Sequence, residues 1–256
     1  DEKSIACFDA DGKVAIPVAN LSVLMLGPGV RITHAAICRL VEGNCLVIWC
    51  GEENVRFYAQ GIGGTRSAYR LLHQARLATN DDLRMEVVRR MYLMRLGEHV
   101  DVSVTLQQLR GMEGARVRSA YQQIARETGI VWQGRSYDRQ AWRSGDPPNR
   151  ALSAANSCLY GLCHAAILSA GYSPALGFIH TGKQRSFVYD IADLYKLEIT
   201  VPLAFRMAAQ NPPQLERAVR LACRDAFRDT QLMKRIIPHI SVALGVEDEL
   251  DETFDE

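Results

Sequence analysis

The residues best suited to chemistry lie between His180 and Asp193, where one imidazole and two carboxylates occur within fourteen residues. A Thr-Gly pair follows His180 and apolar residues then recur every three or four positions, so we predict a loop that leads into a helix at residues 187–197. Asp190 and Asp193 are three residues apart on this helix and should project from the same side. If the pair is partly buried, it needs a positive charge between its oxygens, and a divalent cation can supply that charge. The alternative is that the two Asp residues cap the helix and His180 is only hydrogen-bonded.

Glu113 is the next candidate, because it falls within an apolar face. The predicted helix at residues 106–126 places Leu109, Glu113 and Val117 on one side. A carboxylate beside a core is costly unless it is paired or coordinates a metal. Arg110, Arg116 and Arg118 are close along the chain, so a buried Glu–Arg ion pair is as good an interpretation as metal ligation.

Basic residues are concentrated in the middle of the chain. Residues 61–240 carry 25 Lys or Arg against 15 Asp or Glu, although the whole chain has a formal net charge of only +1. Arg accounts for 25 of the 30 basic residues, and its guanidinium holds phosphate with two parallel hydrogen bonds. This pattern favours a polyanionic partner, although a preference for GC-rich codons also produces an Arg excess.

One predicted helix carries a basic stripe that would suit a nucleic-acid backbone. Its basic residues recur at intervals of three, four and four: Arg217, Arg220, Arg224 and Arg228. The competing interpretation is a solvated helix face on which these side chains pair with neighbouring acids, namely Glu216, Asp225 and Asp229.

The distribution of turn signals and periodicity predicts an α+β protein. Strands are predicted at residues 4–8, 14–18, 23–26, 46–49 and 55–58, with a brief helix at 34–41. The first three strands should form a small antiparallel sheet, with Asp11-Gly12 as a hairpin turn. Helices are predicted at residues 67–78, 82–96, 106–126, 152–170, 187–197, 202–209, 215–227 and 232–244.

A glycine cluster divides the chain into two domains. We predict a small amino-terminal β domain at residues 1–60, a linker at 61–64, a larger all-α catalytic domain at 65–245 and an acidic tail at 246–256. Between the predicted helices, residues 132–146 form a loop with Tyr137 and Trp142, which either stack on a ligand or anchor the loop.

Composition excludes several classes of protein. No apolar run reaches the roughly 20 residues that a bilayer crossing needs, and the amino end lacks the features of a secretory signal. None of the seven Cys falls in a Cys-x-x-Cys pair, so we expect reduced core thiols and a cytoplasmic protein.

Two functions are consistent with these residues. The first is a phosphodiester-cleaving enzyme in which Glu113, His180, Asp190 and Asp193 surround Mg²⁺ or Mn²⁺, because carboxylates with one His favour a hard ion. The second is a non-catalytic nucleic-acid-binding scaffold whose carboxylates pair with Arg. A glycosidase that uses two carboxylates is a weaker alternative, because it explains no basic surface.

Several specific motifs resemble those of the CRISPR-associated integrase nuclease, in its Cascade-linked (type I-E) subtype. They are HTGK at 180–183, FVYDIAD at 187–193, LRGMEGARVR at 109–118 and AANSCLYG at 154–161. The resemblance covers nearly the whole chain. It implies a β-sandwich-like amino-terminal domain, an all-helical catalytic domain, and insertion of short foreign DNA duplexes into a CRISPR array by attack of a 3′ hydroxyl on a phosphodiester. It also implies that the protein forms a homodimer. Two such homodimers would flank a dimer of a small ferredoxin-like partner protein, and the three dimers would form a heterohexamer.

The resemblance assigns roles to individual residues. Glu113, His180 and Asp193 would be the metal ligands, and Asp190 an acid essential to the same site. The residues that would contact duplex DNA and its single-stranded 3′ ends are Arg31, Arg56, Tyr137, Trp142, Tyr160, Lys183, Tyr189, Arg217 and Arg220. The sequence departs from the family at two points. It begins within the first hairpin and lacks the segment whose aromatic residue braces the end of the duplex in relatives, so the resemblance does not extend to the measurement of duplex length. Cys38 stands where close relatives have a basic residue, so one contact to the DNA backbone is expected to be weaker.

Overall fold

The computed structural model describes residues 4–9, 12–51, 57–61, 68–135 and 146–246. Within these ranges a small β region comes first and a helical region follows, as predicted. The strands are β1 (Ser4–Asp9), β2 (Gly12–Pro17), β3 (Val23–Leu26), β4 (Leu46–Cys50) and β5 (Phe57–Gln60), with helix α1 (His34–Glu42) between β3 and β4. The predicted domain limits remain predictions, since residues 62–64 and the tail from residue 247 lie outside the described ranges.

The strands form two small sheets. β1 and β2 make an antiparallel hairpin, whereas β3 runs parallel to β4 and β4 runs antiparallel to β5. The prediction that the first three strands form one antiparallel sheet is therefore wrong for β3. The physical reason lies in β4: an almost continuously apolar strand takes a central position, and a parallel neighbour is reached through a helical crossover, here α1.

The central strand of the second sheet, β4, contacts two cores and joins the sheet to the helical region. On one side Val47 packs with Val18 and Leu40. On the other, Leu46 and Ile48 pack against Ala165 of a long helix. Alternate residues of one strand thus reach two cores, as the two-residue period of a strand requires.

Eight helices make up the remainder of the described chain. They are α2 (Tyr69–Thr79), α3 (Asp81–Leu96), α4 (Leu106–Thr128), α5 (Pro147–Ser169), α6 (Ser186–Ala192), α7 (Val201–Gln210), α8 (Leu215–Asp229) and α9 (Leu232–Leu244). Each lies close to a helix predicted from the sequence, with two differences.

The first difference is that α5 begins five residues before its predicted start. Asp146 caps it by accepting a hydrogen bond from the Asn149 backbone N–H at 2.8 Å, and proline occupies the first helical positions, where its missing N–H costs nothing. The second is that the helix predicted at 187–197 ends at Ala192. A turn follows, then a π-helical segment at Lys196–Thr200 that leads into α7.

α5 lies at the centre of the helical region. Leu159 and Cys163 belong to a core with residues of α3, α6 and α9, whereas Leu152 and Ala155 belong to a second core with residues of α7 and α8. Within the described ranges, α5 alone has the length and apolar composition of a membrane-spanning helix, and half of its most apolar window is buried in the protein. The two cores account for that composition.

Local capping sets the ends of the two helices that frame the site. α4 begins with a capping box, in which Thr105 and Gln108 exchange side-chain and backbone hydrogen bonds, and it ends at Gly129 with φ 70°. α3 begins at Asn80, whose side chain accepts a hydrogen bond from the Leu83 N–H, and it ends at Gly97 with φ 75°. The left-handed conformation at both glycines stops these helices, at the predicted residue 96 for α3 and two residues beyond the predicted residue 126 for α4.

The seven Cys all lie within the described ranges, and none forms a disulfide. Four are buried: Cys45, Cys50, Cys163 and Cys223. Cys7 is exposed on the β1–β2 hairpin, so the prediction that all seven are core thiols is wrong for this residue. The reason is that a two-stranded sheet cannot be covered on both of its faces.

Candidate active site

A cleft of about 660 Å³ opens between α3, α4, α5 and the segments on either side of α6. Its chemically active lining residues are Tyr92, Arg95, Arg110, Glu113, Arg118, Tyr121, Trp132, Arg135, Asn156, Tyr160, His180, Asp193 and Lys196. Three of the four predicted catalytic residues therefore face one space, and the fourth, Asp190, lies behind it.

Glu113 lies on α4 with only 8% of its surface exposed. Its Oε1 accepts a hydrogen bond from Arg95 Nη2 at 2.7 Å, and its Oε2 is 3.7 Å from Arg116 Nη1. Oε2 is buried and has no hydrogen-bond partner among the described residues. The predicted buried ion pair is thus present, but its main partner comes from α3 rather than from α4.

Asp193 follows the last residue of α6 and points into the same cleft. Its Oδ1 is 2.6 Å from Lys196 Nζ, and its Oδ2 is 3.5 Å from Arg95 Nη2. Burial by itself raises the pKa of this carboxyl, but Lys196 and Arg95 outweigh burial and hold the pKa below its ordinary value. One guanidinium nitrogen contacts both Glu113 and Asp193, so the two carboxylates form one electrostatic centre.

Asp190 is completely buried and turns away from Asp193. Its Oδ2 accepts hydrogen bonds from the backbone N–H groups of Phe178 and Ile179, at 2.6 and 3.1 Å. Its Oδ1 lies 2.8 Å from the His180 backbone nitrogen and 2.7 Å from His180 Nδ1. The prediction that the two Asp side chains share one site is wrong: four donors in the preceding loop satisfy Asp190 without a cation, whereas Asp193 faces Lys196 and Arg95.

His180 is held by Asp190 at the rim of the cleft, with 42% of its side chain exposed. Because a carboxylate can only accept, His180 Nδ1 donates to Asp190, and in the neutral imidazole the lone pair is then on Nε2. A carboxylate that orients a His in this way is the usual outer shell of a metal-binding imidazole.

The donor set suits a hard divalent ion. Two carboxylates and an imidazole line the cleft, and Glu113 Oε2 is an orphaned buried oxygen that a cation would satisfy. In the described part of the chain, however, no three His, Cys, Asp or Glu side chains are grouped closely enough to hold a metal together. Instead, Arg95 forms an ion pair with Glu113, and Lys196 forms one with Asp193.

Aromatic rings form the far wall of the cleft and part of its rim. Trp132 stacks on Tyr121 with centroids 5.2 Å apart and packs at 5.1 Å against Phe205, so it is anchored on the body of the protein. At the rim, Tyr160 lies under Lys196 Nζ, 4.9 Å from the ring centre, and meets Tyr189 edge to face. Tyr189 in turn meets the His180 ring in the same way.

The other predicted DNA contacts are dispersed. Arg31 is exposed ahead of α1, and Lys183 is exposed in the loop before α6. Arg217 is exposed on α8 and Arg220 is partly buried there, and neither is among the residues that line the described cleft. Arg56, Tyr137 and Trp142 lie outside the described residues.

Acidic neighbours partly neutralise the basic stripe on α8. Arg224 pairs with Asp225 at 3.0 Å, and Arg228 pairs with Asp229 at 3.2 Å. The competing interpretation of a self-paired solvated face is therefore confirmed for the carboxyl-terminal half of the stripe. Glu216 instead pairs with Arg150 on α5, at 2.6 Å.

Two residues at the centre of the site were not selected from the sequence. Lys196 follows Asp193 by three positions, a spacing that could have identified it as a partner. Arg95 carries no comparable local signal, since its partners are 18 and 98 residues away along the chain.

Comparison with known proteins agrees with this fold. The family model described as CRISPR associated protein Cas1 matches residues 91–218. The CRISPR-associated endonuclease Cas1 of Geobacter sulfurreducens is 54% identical over 230 residues, which cover 90% of this chain and 75% of that protein. The Escherichia coli protein of the same description is 48% identical over 230 residues, with the same coverage of the two chains.

A solved structure extends the match to three dimensions. The crystal structure of a TtCas1–DNA complex aligns with a TM-score of 0.84 at 53% identity, covering 95% of this chain and 91% of the other. Fold, site and relatives together define a CRISPR-associated protein. The chain belongs to the Cas1 family.

Proposed function

We propose that this chain is a metal-dependent DNA endonuclease and integrase that inserts short foreign duplexes into a CRISPR array. The single observation that carries the proposal is the cleft in which Glu113, His180 and Asp193 meet from three separate segments of the chain. The curated relatives are named CRISPR-associated endonucleases, and one similar structure is a complex with DNA, which supports the same conclusion.

Glu113, Asp193 and His180 Nε2 would hold the ion, Mg²⁺ or Mn²⁺. When bound, it would polarise a phosphoryl oxygen and stabilise the charge that builds up on it. Asp190 orients His180 through the hydrogen bond to Nδ1. Arg110 is fixed by a hydrogen bond to the Ile179 carbonyl and, with Arg118, lines the cleft where a DNA phosphate would lie. The reaction would be an in-line displacement at phosphorus by a 3′ hydroxyl or by water, with no protein nucleophile.

We propose duplex DNA with single-stranded 3′ ends as the substrate. Tyr160 and Tyr189 lie together at the rim of the cleft, where aromatic side chains would stack on unpaired bases whatever their sequence. Tyr121 and Trp132, which stack on each other, form the apolar wall behind them. We further propose that the protein works in the cytoplasm as a homodimer, and that two such dimers join a dimer of a ferredoxin-like partner in a heterohexamer.

The test is a strand-transfer assay with a short duplex, a supercoiled plasmid carrying an array, Mn²⁺, and the partner protein present or absent. We expect joined products from the wild type and from Arg39→Gln, a change at an exposed residue of α1 paired with Glu42. Glu113→Gln and Asp193→Asn should bind the duplex but yield no product. Strand transfer by either variant at the wild-type rate would reject the site.

A non-catalytic scaffold is the second candidate, because Glu113 and Asp193 already have cationic partners. Thermal unfolding distinguishes the two functions. Mn²⁺ should raise the unfolding temperature if the carboxylates bind an ion, by ligand linkage, and should leave it unchanged for a scaffold.

A further inference from the structure

The two acidic side chains of the cleft are already neutralised by the protein. Glu113 and Asp193 are matched by Arg95 and Lys196, both largely removed from solvent, with 6% and 22% of their side chains exposed. Arg116 Nη1 also lies 3.7 Å from Glu113 Oε2, but its side chain is 42% exposed. The inner, enclosed part of the site therefore contains two negative and two positive charges before any ligand binds. Arg95 packs over the Tyr92 ring, 5.2 Å from its centre, so this cation is built into the wall of the cleft rather than resting at its mouth.

The pairing is incomplete in a way that permits exchange of partners. Glu113 Oε2 and Arg95 Nε are both buried, and neither has a hydrogen-bond partner among the described residues. Arg95 shares a single nitrogen between two carboxylates, at 2.7 and 3.5 Å, instead of gripping one of them with two parallel bonds. A phosphate would offer this guanidinium a better acceptor, and a divalent ion would offer Glu113 a better partner.

A divalent ion that entered alone would leave the inner site with two excess positive charges. Charge is costly to leave unbalanced in a partly dry cleft, and Arg110, Arg118 and Arg135 line the same space and add to the excess. A DNA phosphodiester supplies the missing negative charge. The charge count thus favours binding of the ion together with phosphate over binding of the ion alone.

We propose that the divalent ion and the DNA phosphodiester bind cooperatively, because Arg95 and Lys196 act as internal counter-ions that leave the carboxylates for phosphate oxygens when both ligands are present. This inference rests on the proposed function and concerns its regulation. Without DNA, the protein's own cations compete with the ion for Glu113 and Asp193.

The experiment measures Mn²⁺ affinity of the full chain by titration against the free-ion electron paramagnetic resonance signal. It is done without DNA and with a saturating short duplex that has 3′-dideoxy ends. For the wild type, we expect the duplex to raise Mn²⁺ affinity by about tenfold or more, within the usual range of coupling between sites. For Arg95→Gln, Mn²⁺ affinity without DNA should rise by about tenfold, and the gain on adding duplex should largely disappear.

Arg39→Gln is the matched control, since it removes one Arg charge from an exposed pair on α1 and should reproduce the wild-type values. If Arg95→Gln fails to fold, Lys196→Gln tests the same idea at a more exposed position and should shift both quantities in the same direction. Mn²⁺ affinity and coupling that equal the wild-type values in the folded variants would overturn the inference and leave the proposed function standing. No Mn²⁺ binding by the wild type, with or without duplex, would overturn both.

Discussion

Replacing Asp190 with Asn should destabilise the fold, even though Asn has nearly the same shape. The two carboxylate oxygens of Asp190 face four nitrogens, three from the backbone of residues 178–180 and one from the His180 ring. Asn offers one oxygen and one NH₂ group. Whichever way the amide turns, two of the four donors face another donor.

The size of the effect follows from burial. Each buried donor left without an acceptor costs about 1–3 kcal/mol. The amide should place its NH₂ group toward His180, because that side chain is partly exposed and its ring can turn to water. One backbone N–H and the orientation of the ring are then lost, together with the charge that strengthened the remaining bonds, and we expect a loss of about 3 kcal/mol in the free energy of unfolding.

Urea unfolding at neutral pH, followed by circular dichroism, measures this loss. Hydrogen exchange should show faster exchange at the amides of residues 178–180. Asp225→Asn is the matched control on the surface of α8, where we expect a change within about 0.5 kcal/mol. If Asp190→Asn unfolds within about 0.5 kcal/mol of the wild type and its amides keep their protection, Asp190 does not hold this loop and the account given for it is wrong.

Three other predictions concern pH, packing and DNA binding. Burial, with Arg185 nearby, lowers the pKa of His164 from 6.5 to about 4, so between these pH values the unfolded chain binds a proton that the folded chain does not. The free energy of unfolding should therefore be at its full value above pH 6.5 and fall by about 2 kcal/mol by pH 5. Urea unfolding of His164→Gln should not show this fall with pH. Gly177→Ala would place a methyl group against the His180 carbonyl and within 2.7 Å of Ser186 Cβ, so it should lower the free energy of unfolding by about 2 kcal/mol. Gly111→Ala would place its methyl group where no other atom lies within 4 Å, inside α4, so it should raise the free energy of unfolding by about 0.5–1 kcal/mol. Equal unfolding midpoints for the two variants would contradict this packing. Replacing Arg217 and Arg220 with Gln should weaken duplex binding and flatten its dependence on salt, whereas an unchanged slope of affinity against salt would place α8 away from the DNA.

Local patterns were sufficient for most of the helical architecture. The three-to-four residue period located each of the helices α2 to α9 in the described part of the chain, although it missed the first turn of α5. The same period placed Glu113 on an otherwise apolar face, where the structure buries it. These features depend on neighbours within one or two turns, so the chain order alone contains them. The family, likewise, was recognisable from motifs that are continuous in sequence.

Pairing across the fold could not be predicted in this way. The separation of Asp190 from Asp193 depends on four donors in the loop that precedes α6. The partnership of Arg95 with Glu113 and Asp193 depends on how α3 packs beside α4. β3 joins β4 rather than the hairpin, and β4 then has a hydrogen-bonded neighbour on each of its two edges. Charges and strand edges find partners by distance in space, and helix packing brings together residues whose separation along the chain carries no signal.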